Sequence, residues 1–220
     1  MKLTFRCALC ALSLITVSGA ANAGPLALES RLGGQAIYDP NSNLTWLADA
    51  NANGAMTWEA ANSWAAGLTL GGADDWRLPN TTQPDAGCDS QSGSVSDGYN
   101  CTGSEMGNLF YNVLGGEAGK SITTTHNANF DLFSNVQSLI YWSATDAPVT
   151  NYAWGFNMDF GFQGDVNKTT SHYAWAVRSG DVSASSAVPE PTALSLIGIG
   201  AVGLFAARSR RARATHRTYG

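Results

Sequence analysis

All seven tryptophans of this 220-residue chain, at positions 46, 58, 64, 76, 142, 154 and 175, fall between Trp46 and Trp175. A tryptophan has about 150–250 Å² of largely apolar surface to hide from water. Seven of them in one stretch require a closed core there. Trp58 and Trp64 sit at helical spacing with Ala61, Ala65 and Leu68, and Trp142 and Trp175 fall in runs that read as strands. These four are expected in the core. Trp154, beside Gly155, is the one most open to exposure. The two ends of the chain have no tryptophan and follow a different logic.

At the N-terminus, Lys2 and Arg6 precede an apolar run from Cys7 to Val17, and Ala21-Asn22-Ala23 follows. A positive start, a short apolar stretch and small residues two apart form a secretory signal cleaved after Ala23, which makes residues 1–23 a signal peptide. At the C-terminus, Val188-Pro189-Glu190-Pro191 leads into sixteen uncharged residues, Thr192 to Ala207. As a helix this run would span about 24 Å, slightly less than the hydrocarbon core of a bilayer. Arg208, Arg210, Arg211 and Arg213 come directly after it. Arginines in this position hold the C-terminus on the cytoplasmic side. The chain therefore divides into a signal at 1–23, a domain at 24–182, a linker at 183–187 and a tail at 188–220. The tail comprises a membrane-crossing run, 192–207, and a basic end, 208–220.

Without its ends, the chain keeps five basic and sixteen acidic side chains, a balance of −11 against −5 for the whole. An acidic domain disfavours nucleic acid and other polyanions as partners unless a cation bridges them. Two cysteines remain, Cys88 and Cys101. Outside the cytoplasm they are expected to form one disulfide, closing a Ser/Gly/Asp-rich loop that cannot order itself by burial.

Local patterns suggest an α+β fold. Ala36–Tyr38 and Leu44–Leu47 read as strands joined by Asp39-Pro40-Asn41-Ser42-Asn43, a hairpin. A helix is expected from Trp58, capped by Thr57 and stopped by Gly71-Gly72. A second, capped by Ser104, places Met106, Leu109, Phe110, Val113 and Leu114 on one face and stops at Gly115-Gly116. Four strands then follow as an antiparallel meander: Leu139–Ser143, Tyr152–Asn157, Phe160–Asp165 and Tyr173–Arg178. Together they predict two helices and a twisted antiparallel sheet.

Two resemblances add to this reading. The Pro-Glu-Pro motif, apolar run and arginines resemble the PEP-CTERM sorting signal of Gram-negative bacteria. That likeness implies signal peptidase and an exosortase as processing partners, a transient membrane anchor, and delivery to the cell surface or beyond. Within the domain, Tyr38-Asp39-Pro40, Leu44-Thr45-Trp46, Trp58-Glu59-Ala60-Ala61, Asp75-Trp76-Arg77-Leu78-Pro79, Tyr141-Trp142-Ser143-Ala144-Thr145 and Ala174-Trp175-Ala176-Val177-Arg178 occur in that order. The series resembles the Lcl C-terminal domain family. It implies a C-type-lectin-like fold, related also to the formylglycine-generating enzyme, and a non-catalytic binding module for extracellular polysaccharide or biofilm matrix. The alternative is a structural or protein-binding component of the envelope. The family's best-described member is an adhesin for sulfated glycosaminoglycans, which the acidic balance here opposes.

Candidate ligand contacts are Trp154, Arg77 and Arg178; each arginine could instead pair with a carboxylate to hold the fold. Gln83-Pro84-Asp85 matches a tripeptide that holds calcium in C-type lectins, but calcium needs six to eight oxygens, and Asn157 and Asp159 are imperfect partners. Asp39, Asn41 and Asn43 mimic a calcium loop, yet Leu44 stands where the turn needs glycine. No metal or other cofactor and no catalytic residue is assigned. His126 and His172 have no adjacent nucleophile motif, and no zinc, nucleophile-elbow or phosphate-loop signature is present.

Overall fold

The computed structural model describes residues 25–182. The signal segment with Ala21 and Ala23, the linker, and the tail with Val188, Pro189, Glu190, Pro191, Arg208, Arg210 and Arg211 lie outside the described residues. The expected hairpin forms from β2 (Ala36–Asp39) and β3 (Leu44–Leu47), paired antiparallel from Ala36↔Leu47 to Asp39↔Leu44. Its turn is built by Asp39, whose carboxylate accepts from the Asn41 backbone N–H (2.9 Å) and the Ser42 hydroxyl (2.6 Å). This is an Asx turn, so Asp39 is used inside the hairpin and its neighbours do not form a calcium loop. Two short strands flank the hairpin: β1 (Glu29–Arg31) on β2, and β11 (Val177–Ser179) on β3, completing a four-stranded sheet.

The second sheet has five strands, in the order β4 (Ala55–Met56), β10 (His172–Tyr173), β7 (Ile140–Asp146), β8 (Tyr152–Asn157) and β9 (Phe162–Asn167). Its centre is the meander of β7, β8 and β9. Tyr141 and Phe156 face one apolar cluster, with Phe110 and Trp175. Trp142 and Ala153 face another, with Ala61, Ala65, Trp76 and Leu78. The sheet is buried on both faces at its centre, over Tyr141–Ser143 and Ala153–Phe156, which explains the apolar run of β8, whereas the edge strand β9 is mostly polar and only its Gln163 is buried.

Three expectations need correction. The stretch Tyr173–Arg178 is not one meander strand. His172–Tyr173 forms β10, antiparallel to β4 (Ala55–Met56) and parallel to β7, while Val177–Ser179 joins the other sheet. There are thus two main sheets and a small hairpin instead of one sheet. The first helix, α1 (Trp58–Ala66), ends at Gly67, whose N–H reaches the Ser63 and Trp64 carbonyls, well before Gly71. The second helix, α2 (Glu105–Asn108), widens into a π-helical turn, Leu109–Val113, where the Leu114 N–H bonds the Leu109 carbonyl (2.8 Å). Its apolar face is buried as the spacing predicts: Met106, Leu109, Phe110 and Leu114 are all at most 3% exposed. Thr57 and Ser104 stand at the helix starts, though neither side chain caps its helix.

Between the sheets the chain runs Ala174-Trp175-Ala176, fully enclosed. Trp175 packs against Trp46 (ring centroids 5.6 Å), Phe133 (5.2 Å) and Tyr141 (5.6 Å), and its indole N–H donates to the Leu47 carbonyl (2.7 Å). Trp175→Ala should cost about 3–5 kcal/mol through the cavity it leaves. Trp175→Phe should cost less, and urea unfolding of the two variants would check the order.

Candidate functional site

The disulfide loop closes one end of the molecule. Cys88 and Cys101 are joined, and the chain between them forms a small hairpin, Ser90–Ser92 with Val95–Asp97. Gly98 then pairs with Gln163 of β9 in both directions (2.9 and 2.8 Å), covering part of that edge strand. The loop is therefore ordered by long-range pairing as well as by the cross-link. Helix α2 approaches it closely: a Cβ on Gly107 would lie 1.9 Å from the Cys101 carbonyl oxygen, so only glycine fits there.

The calcium-like tripeptide is spent on this loop. The Asp85 carboxylate accepts from the N–H groups of Gly87 (2.9 Å), Gly103 (2.8 Å) and Ser104 (3.1 Å). The Gln83 amide pairs with the Ser96 backbone, N–H to Oε1 and Nε2 to carbonyl, both at 2.7 Å. Asn157 accepts from the Asp159 N–H (2.9 Å). Among the described residues, the one group of three possible ligands is Asp85 with Cys88 and Cys101. The two sulfurs are already bonded to each other, and the carboxylate is filled by N–H donors.

Neither arginine is open to a ligand in the way the sequence allows. Arg77 forks onto Glu105 (2.6 and 2.7 Å), while its backbone pairs with Val177. Arg178 forks onto Asp75 (2.6 and 3.1 Å) and holds that carboxyl below its usual range. Arg31 forks onto Asp181 and also meets Glu29; the hydrogen bonds it donates to these carboxylates raise its already high pKa. Lys168 pairs with Asp146 and lies 3.8 Å from the centre of the Trp58 ring, and Lys120 pairs with Glu117. Every cation among the described residues thus has a carboxylate partner, and ten of the sixteen acids remain outside these pairs.

Trp154 is 3% exposed, which corrects the expectation of a surface ring. It lines a shallow cleft together with Val95 of the disulfide loop, Gln83 before that loop, and Thr145–Pro148. The histidines are also structural. His126 Nδ1 meets the Ile122 carbonyl (2.6 Å), and its ring stacks on Phe130. His172 Nε2 lies 2.9 Å from the Thr170 hydroxyl, whose single proton goes to the Asn167 carbonyl (2.7 Å). The imidazole is then the donor, so it does not activate Thr170 as a nucleophile.

A cleft of about 560 Å³ lies elsewhere. One side is the segment Pro25–Leu28, pinned by Asn41: the Leu26 N–H reaches Asn41 Oδ1 (2.8 Å), and Asn41 Nδ2 reaches the Leu26 carbonyl (2.7 Å). The other sides are the hairpin turn, Asn108 and Asn112 on the second helix, and Asn127 and Asn129. Asn127 and Asn129 are anchored by donating to the Val113 carbonyl (3.0 and 2.9 Å). This groove was missed by sequence reasoning because its asparagines come from separate segments, where each reads as a turn or helix-surface residue.

The sequence profile of the Lcl C-terminal domain matches residues 35–178, which covers the five-stranded sheet, the β2–β3 hairpin and the disulfide loop and leaves out β1. The chain belongs to the Lcl C-terminal domain family. A PEP-CTERM protein-sorting motif matches residues 187–211. The Lcl domain is therefore exported and sorted by an exosortase to the cell surface or the exterior. Among the described residues no helix is long and apolar enough to cross a membrane; the run 192–207 lies outside them. No curated protein matches the chain at a significant level.

Two measurements check this account of the Lcl domain. Replacing Cys88 and Cys101 with alanine should lower stability by about 3 kcal/mol on the chain-entropy model. Limited proteolysis should then cut first within 89–100. Burial holds the His172 imidazole below its ordinary value of 6.5. As pH falls past that value the unfolded chain takes up the proton first, so stability declines there and is unaffected above it. His172→Asn should flatten this decline in urea midpoints measured from neutral to mildly acidic pH.

Proposed function

We propose that the exported domain is a non-catalytic, lectin-like binding module for uncharged extracellular polysaccharide, acting without calcium. The observation that carries this reading is the groove walled by asparagine amides and short apolar side chains. Neutral amides both donate and accept, which suits sugar hydroxyls. The pairing of every cation among the described residues argues in the same direction, because a sulfated or uronate polymer would meet carboxylates and no unpaired lysine or arginine there. The family relationship supports a surface role, and the sorting motif puts the domain where such polymers are. The two histidines and the disulfide offer no nucleophile with a base, so binding is favoured over turnover.

The test is a pull-down of the exported, processed protein with neutral and anionic polysaccharides, with and without EDTA and at low and high salt. Retention on a neutral polymer, unchanged by EDTA and salt, is the expected result. Failure to bind any polymer, or binding to anionic polymers alone, would overturn the reading.

A further inference from the structure

Resting on that reading, we infer that the asparagine groove recognises the acetamido groups of an N-acetylated, uncharged glycan. The amide atoms left over after internal bonding define the chemistry. Asn112 donates to Asn108 Oδ1 (2.8 Å), leaving the Asn108 Nδ2 group as a donor and Asn112 Oδ1 as an acceptor without a described partner. Asn129 spends its Nδ2 on Val113, leaving its Oδ1 unspent. One wholly unspent amide NH₂ group and two unspent amide oxygens, all neutral, therefore line the same groove. An acetamide presents the matching pair: its N–H suits an asparagine oxygen, and its carbonyl suits an asparagine N–H.

The walls fit the remaining methyl. Leu28 and Val113 are half-buried and pack on the core, so their outer atoms offer a fixed apolar surface beside the amides. No aromatic ring lines the groove, so stacking on a sugar face is not available there and recognition falls to the ring's substituents. Charge is absent from the contact set. Asp39, the one ionisable group in the lining, is 1% exposed, and both its oxygens already accept from Asn41 and Ser42. The volume of about 560 Å³ lies within the usual range for small-ligand sites.

The test compares two neutral oligosaccharides with the same linkage, the β-1,4 hexamer of N-acetylglucosamine and the β-1,4 hexamer of glucose, by titration calorimetry on the exported, processed protein. The acetylated hexamer should bind about tenfold tighter, the effect of one net hydrogen bond. Asn112→Ala, at an exposed position, should fold normally and bring the two affinities together. Equal affinities in the wild type, or discrimination that survives in Asn112→Ala with an unchanged melting temperature, would overturn the inference. If the hexamers bind alike or not at all while a neutral polymer is still retained in the pull-down, only the acetamide assignment falls. If no polymer is retained, the binding function falls with it.

Discussion

The passage of Ala174-Trp175-Ala176 from one sheet to the other is the contact on which the rest of the fold depends. Two residues before Trp175, the chain belongs to the five-stranded sheet; two residues after it, to the four-stranded one. The indole fills the space at this crossing, and its N–H closes on the Leu47 carbonyl of β3. Both sheets contribute to its surroundings, through Trp46 and Tyr141. Dispersion and burial at this point are therefore shared, and neither sheet is a separate unit.

From this crossing, charged clamps extend outward. Arg77 links the segment before the disulfide loop to β11 and to the start of the second helix; Arg178 of β11 fastens Asp75 of that same segment, and Arg31 of β1 holds Asp181 just past β11. Forked pairs fix orientation as well as distance, which suits the joins between elements. Using all five cations this way leaves ten of the acids outside these pairs, and the domain's net negative charge favours solubility.

Much of this was legible in the residues. The β2–β3 hairpin follows from turn chemistry, and the second helix from its apolar spacing. The disulfide follows from having two cysteines in an exported chain. Elements shaped by distant contacts were harder to read. Tyr173 to Arg178 has a continuous strand pattern, and only the position of Trp175 between sheets divides it. Trp154 stands beside a glycine in the sequence, yet long-range packing buries it. Gly67 ends α1, and nothing in the spacing distinguishes it from the later Gly71-Gly72 pair. The groove depended most on folding, since Asn41, Asn112 and Asn129 come together only once the hairpin, the π-helical turn and the following loop meet.

The short β11 strand also sets how the molecule bears mechanical load. It pairs directly with β3, whose hairpin turn borders the groove, and Gly180 is tied to the same hairpin through Asn43 and Thr45. Force applied at the C-terminal end of the described domain would meet the β3–β11 ladder and the Arg31–Asp181 clamp first. That end of the domain is thus fastened to the smaller of the two sheets.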